Sequence, residues 1–211
     1  ERERLRLEGV LETSRLRSDQ KARLSMMLAH LDIIEGNDRK ALKRLSKARQ
    51  PLLSFVVDVL RDLDQQQAWD RIALWLKSQT DLNLLAEQDL SAFAQYWERA
   101  AQQLQLEEEY ERWLKSHYPR TLRAYARFLH RKKRYSEWIE LQALGGVSID
   151  HIDRDQFREI ERTRPELLLP LYFHEIENLI LQKKRDAYQA AVTHLKALEQ
   201  LYVRIGQIGR F

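Results

Sequence analysis

Cysteine is absent from the 211 residues, and glycine (6) and proline (4) are scarce. Without cysteine these residues hold no disulfide, no thiolate metal site and no cysteine nucleophile, a usage that fits a reducing compartment. So few glycines and prolines leave too few turn residues for a many-stranded sheet. Long apolar runs are missing as well. The longest, Leu167 to Phe173, is seven residues broken by Pro170, far short of the roughly 18 that a spanning helix needs. The opening Glu1-Arg2-Glu3-Arg4 has neither the apolar core nor the cleavage pattern of a secretory signal. These features predict a cytoplasmic chain with no membrane partner, and the lack of an initiating Met reads as a piece of a longer protein. No glycine-rich phosphate loop and no serine on a nucleophile elbow stand in the sequence, so no enzyme and no small-molecule substrate is expected.

What is present is helical periodicity. Leu24, Met27, Leu28, Leu31 and Ile34 recur at three- and four-residue spacing, which puts them on one face of a helix. So do Leu53, Val56, Val57, Leu60 and Leu63, then Leu90, Phe93, Ala94, Trp97, Ala101 and Leu104. Leu122, Tyr125, Ala126 and Leu129 form another set, and Tyr188, Ala191, Val192, Leu195, Leu198, Tyr202 and Ile205 close the series. At 44% hydrophobic and 32% charged residues, each helix keeps one wet face. About ten helices are predicted, joined by short polar turns that force antiparallel neighbours. The chain reads as a single helical-repeat domain over 1–211 with a weak internal boundary near 144–153, where Gly145-Gly146 and Asp150, Asp153 interrupt the pattern. Pro165 can open a helix, but Pro170 then falls within it, so that helix either kinks or begins at Pro170.

The turns carry a loose repeat. Gly36-Asn37-Asp38 is followed by Ala41, Ala48 and Pro51, spacings that resemble the tetratricopeptide pattern. Weaker copies place Trp69, Tyr110, Tyr135 and Tyr188 after polar steps, as aromatics that would wedge between hairpins. Their intervals are 41, 25 and 53 residues, whereas a regular repeat runs about 34. The resemblance implies an all-α, right-handed α-α superhelix of degenerate hairpins.

Charge is unevenly spread. Residues 1–49 hold 13 basic and 8 acidic groups, residues 50–111 hold 4 and 12, and residues 112–134 hold nine basic groups and no acid. Arg120, Arg123, Arg127 and Arg131, spaced by three and four, would form one exposed row if they share a helix, continued by Lys132, Lys133 and Arg134. Such a row either faces solvent or pairs with the acidic stretch, or else it binds phosphates or an acidic partner. A second basic set, Arg39, Lys40, Lys43, Arg44, Lys47 and Arg49, precedes it. The aromatics among the basic residues sit at core positions, which speaks against base stacking. Six scattered histidines lack the pairing of a helical zinc site, and no metal or other cofactor is expected within these residues. Asp153 with Gln156 reads as a helix-capping box, and Glu175 with Glu177 as part of a solvated face.

The strings Pro165-Glu166-Leu167-Leu168-Leu169-Pro170 and Asp186-Ala187-Tyr188-Gln189-Ala190-Ala191, with Leu114 to Pro119 and Arg134 to Trp138, resemble the helical region that follows the zinc finger in bacterial SWIM-type zinc-finger proteins. The resemblance implies an interaction module beside a Cys-x-Cys and Cys-x-His zinc site, all of whose ligands would lie elsewhere in the parent protein. Its expected partner is a protein of unspecified identity, or alternatively nucleic acid held through the basic row.

Overall fold

The computed structural model describes residues 2–13, 16–46, 53–78, 87–207 and 209. Among these residues every regular element is helical. Twelve α-helices run α1 (Arg2–Thr13), α2 (Ser18–Ile34), α3 (Asp38–Leu45), α4 (Leu53–Gln65), α5 (Trp69–Lys77), α6 (Glu87–Gln103), α7 (Glu107–Ser116), α8 (Leu122–Arg131), α9 (Tyr135–Leu144), α10 (Arg154–Thr163), α11 (Leu169–Leu181) and α12 (Arg185–Arg204). Two 3-10 segments, Ile149–His151 and Pro165–Leu168, complete the set. The count exceeds the ten expected because α3 and α5 span only 8 and 9 residues, too few for the periodicity test to resolve. No helix among the described residues is long and apolar enough to cross a membrane.

Two compact units divide the chain, Glu1–Ser116 and His117–Phe211. In the first, α2 packs on α1 and α3, α5 on α3, α4 and α6, and α6 on α4 and α7. Leu60, Ile72, Trp75, Phe93, Trp97 and Tyr110 fill its core. In the second, α8 pairs with α9, α9 meets α11, and α11 lies along α12. The stretch 144–153 belongs to this second unit. There Gly145 lets α9 approach α8 closely, since a Cβ would come 2.9 Å from Leu122 Cδ2.

Five hairpins share one turn. Residues 35–37, 66–68, 104–106, 132–134 and 182–184 each join two helices, and the middle residue is left-handed every time: Gly36, Gln67, Gln105, Lys133 and Lys183, with φ of 77°, 56°, 58°, 56° and 53°. In four of them the next backbone N–H returns to a carbonyl five residues back, as in Asn37 to Asp32 (2.7 Å), Ala68 to Leu63 (2.9 Å), Leu106 to Ala101 (2.8 Å) and Arg134 to Leu129 (3.0 Å). That is the Schellman closure, which satisfies carbonyls the helix end leaves open. Only one of the five middle residues is glycine. Gln67→Gly, Gln105→Gly and Lys133→Gly are therefore each expected to add about 0.5–1 kcal/mol of stability by relieving left-handed strain. Gly36→Ala should remove about 1 kcal/mol, and this loss is purely conformational, because nothing lies within 4 Å of the added Cβ. Urea midpoints of the four variants check this, and a Gly36→Ala protein as stable as the parent would contradict it.

Several expected faces shift. Leu28 is buried, but Met27 and Ile34 are 54% and 70% exposed. On α12 the core takes Ala187, Ala191, His194, Leu198, Leu201 and Tyr202, while Tyr188, Val192 and Leu195, one position on and about 100° around the helix, are exposed. Tyr188 therefore does not wedge between hairpins, whereas Tyr110 is fully buried. Pro165 opens the 3-10 segment and Pro170 sits in the first turn of α11, where its missing N–H costs nothing. Ala48 and Pro51 of the tetratricopeptide-like pattern lie outside the described residues.

Candidate functional site

The basic run is divided between the two units. Arg112 and Lys115 belong to α7, where Lys115 Nζ pairs with Glu111 Oε1 at 2.8 Å. The other seven belong to the second unit, but they do not form one helical row. Arg120 lies in the turn after the cis Tyr118–Pro119 bond, two residues before α8 begins, because proline cannot donate to a helix and α8 nucleates behind it. Arg123, Arg127 and Arg131 do share a face of α8, opposite the buried Ala124, Tyr125, Phe128 and Leu129. Arg127 is half-buried, and the Arg131 guanidinium sits 5.6 Å from the Phe128 ring centroid. Lys132 and Lys133 are exposed in the hairpin turn. Arg134 Nε donates to Glu137 Oε1 at 2.6 Å and is engaged locally. Arg123, Arg127 and Lys133 have no ion pair among the described residues.

Of the basic residues of α3, Arg44 turns inward and Lys40 reaches toward the same acids. Asp32 on α2 is fully buried and accepts from Arg4 Nη2 of α1 and from Arg44 Nε (2.7 Å). Arg4 also donates to Glu35, and Arg44 to Glu8, while Lys40 Nζ stands 3.8 Å from both Glu8 and Asp32. Arg39 and Lys43 alone of the described set are exposed without such partners, and Lys47 and Arg49 lie outside the described residues. The Arg4 hydrogen bond holds Glu35 below a carboxylate's ordinary 4.5. For Glu8, burial pushes upward, but the bond and charge of Arg44 outweigh it and the net shift is down. Groups depressed in the folded state contribute stability above the unfolded value and lose it as pH falls through the folded one. The ion pairs of α1 with α2 and α3 are therefore expected to contribute fully above pH 4.5 and to weaken progressively as pH falls below it. Hydrogen-exchange protection factors of α1 amides, measured on both sides of that value, check the loss. Protection that persists in acid would show that apolar contacts hold α1 instead.

Carboxylates and histidines are more embedded than their spacing suggests. Glu175 is buried, not solvated: it accepts from Ser148 Oγ (2.9 Å) and Ile149 N (3.3 Å), pinning the 3-10 segment to α11. Glu177 is exposed. Asp153 caps α10 through the N–H groups of Asp155 and Gln156, but the reciprocal half of the box is missing, because Gln156 Oε1 accepts from Trp138 Nε1 at 3.0 Å. Glu159 accepts from the Tyr135 hydroxyl at 2.8 Å, a bond that pushes the phenol's pKa above its ordinary 10, and stands 3.4 Å from His130 Nε2. Among the described residues no three His, Asp or Glu side chains converge as a metal ion requires.

Two concave sites escaped the sequence reading. The first unit holds an apolar groove of about 400 Å³ lined by Leu7, Met26, Met27, His30, Leu31 and Phe55. The second holds a polar cleft of about 380 Å³ where the Ile149–His151 segment meets α10. Spacing assigns Met27 to the core, and nothing in the sequence marks it as exposed on the groove.

No family model matches the chain, and no solved structure matches it. It is similar to "Uncharacterized protein YwqB" of Bacillus subtilis (strain 168), at 28% identity over 183 residues. That similarity covers 82% of this chain but 34% of the relative, so the chain spans about a third of the relative's length.

Proposed function

We propose that the chain is a non-catalytic, cytoplasmic scaffold that holds a segment of a partner protein, its hairpins forming a degenerate, tetratricopeptide-like, right-handed superhelix. Five three-residue turns with a left-handed middle residue, four of them closed by the same hydrogen bond, support the repeat. The observation that carries the function is the groove beside α2: Met27 is 54% exposed there, and His30 and Phe55 flank it with ring centroids 6.1 Å apart. Unbranched, polarizable methionines adapt to varied apolar side chains, and an exposed apolar concavity marks an interaction site. The two proline- and alanine-bearing strings support a setting within a larger SWIM zinc-finger-like protein.

A second reading, phosphate-backbone binding, is favoured by Arg123, Arg127 and Lys133, which no described carboxylate neutralises, next to Arg131 and Lys132. Contacts of this kind position a nucleic acid without reading its bases. One paired experiment separates the two. Displayed peptides are selected on the chain, and a labelled DNA duplex is titrated at several salt concentrations. The scaffold reading expects peptides with Kd below about 100 μM whose binding falls at least about tenfold in Met27→Glu and is unchanged in Arg123→Glu/Arg127→Glu. Nucleic-acid binding expects the reverse, with affinity falling steeply as salt rises. If no peptide is enriched, the scaffold reading fails.

A further inference from the structure

In the second unit, α12 carries an apolar stripe beside its buried face. Tyr188, Val192, Leu195 and Val203 are all exposed, Val192 at the middle to 50%, and their spacing puts them within an arc of about 80° around the helix. Apolar residues exposed singly need no explanation, but a contiguous stripe marks a surface that another element covers. Arg185, Tyr188, Gln189 and Val192 rim a hollow of about 600 Å³ on this stripe. They stand at i, i+3, i+4 and i+7, the four positions that form the hole for one side chain of a facing helix.

The charges on the stripe are ordered about its middle. Arg185 lies seven residues before Val192 and Glu199 seven residues after it, and seven residues make about two turns, so all three share one side of the helix. Both charged residues are exposed, and neither has an ion-pair partner among the described residues. They cannot meet on their own helix, where they stand about 21 Å apart along the axis. A second α12 laid antiparallel, with its two-fold axis at Val192, brings Arg185 of each copy opposite Glu199 of the other. In the same register Leu195 of one copy enters the hollow of the other, and Lys196 reaches the Tyr188 ring. A parallel pairing would set Arg185 against Arg185 and Glu199 against Glu199, which repel. Opposite charges placed symmetrically about an apolar centre make the face complementary to itself, as a two-fold interface requires.

We propose that α12 is a self-association surface, on which two copies of the chain form an antiparallel dimer centred on Val192. Leu195 filling the facing hollow supplies the apolar burial, and the two Arg185–Glu199 pairs set orientation and register more than affinity. The surface belongs to the second unit and the Met27 groove to the first, so the dimer does not depend on the scaffold reading.

The test is sedimentation equilibrium of the 211-residue chain, 25.3 kDa as a monomer, between about 5 and about 200 μM, with circular dichroism confirming that each variant is folded. A monomer–dimer equilibrium with Kd below about 100 μM is expected, and Leu195→Glu should weaken it at least about tenfold. Arg185→Glu and Glu199→Arg should each weaken it several-fold, because each places two like-charge pairs in the interface. The double variant Arg185→Glu/Glu199→Arg reverses both pairs and should dimerise as the parent does. An equimolar mixture of the two single variants should form a heterodimer, in which both pairs are again opposite in sign. Met27→Glu should leave the dimer unchanged. A chain that stays monomeric at about 200 μM overturns the proposal and leaves the stripe to a different protein. A dimer that Leu195→Glu leaves intact overturns it too, since the copies then meet on another surface. Single variants whose loss is recovered neither in the double variant nor in the mixture overturn the antiparallel register.

Discussion

Asp38→Ala is expected to cost the first unit about 3 kcal/mol, read as the change in urea unfolding free energy. Asp38 begins α3 and is 5% exposed. Its Oδ2 accepts from Arg71 Nε at 2.6 Å, and its Oδ1 from Arg71 Nη2 at 2.9 Å and from Trp75 Nε1 at 2.8 Å. Removing the carboxylate strands a partly buried guanidinium and a fully buried indole N–H, and such orphaned donors cost more than the bond itself contributes. Arg71 keeps a further bond to the Ile33 carbonyl at 2.7 Å, and its side chain is 28% exposed. Water can therefore recover part of its charge, which holds the loss to the lower end of the range for broken buried pairs. Asp38→Asn keeps an acceptor for Trp75 and should cost about half as much. The double variant Asp38→Ala/Trp75→Phe should cost less than the sum of its parts, since the two share one bond. A loss below about 1 kcal/mol in Asp38→Ala would mean that α3 and α5 are held by apolar contact alone.

Trp138→Ala is expected to destabilise the second unit by about 4 kcal/mol, within the range for large aromatics removed from a packed core. Trp138 is fully buried on α9 and lies 6.4 Å from the His130 ring of α8. Its indole N–H also reaches Gln156 on α10. One side chain thus ties three helices, so the loss combines cavity and hydrogen bond. Trp138→Phe separates the two: it keeps most of the volume and should cost about 1–2 kcal/mol, the share of an unmet Gln156 acceptor and a smaller ring. If alanine and phenylalanine cost the same, the hydrogen bond rather than the packing holds α10 in place.

Neither residue stood out in the sequence. Asp38 reads there as the end of a polar turn, and its partners are 33 and 37 residues away. Glu175 reads as a solvated carboxylate for the same reason: its partners, Ser148 and Ile149, are 27 and 26 residues distant. The basic run was legible as charge, but its geometry was not. Pro119 displaces Arg120 from α8, and Arg134 closes on Glu137. The cleft was invisible, since Asp150 and Glu161 come to line one concavity only where the Ile149–His151 segment meets α10.

Helix content, hairpin turns and most apolar faces follow from the sequence by itself, because they depend on residues three to five apart whose spacing fixes which side of a helix they occupy. The tertiary structure alone decided which charges are buried, where the core ends on α2 and α12, and which polar groups converge on one cleft. Those outcomes turn on contacts between helices far apart in the chain, where burial makes an unpaired polar group costly and no local periodicity records the partner.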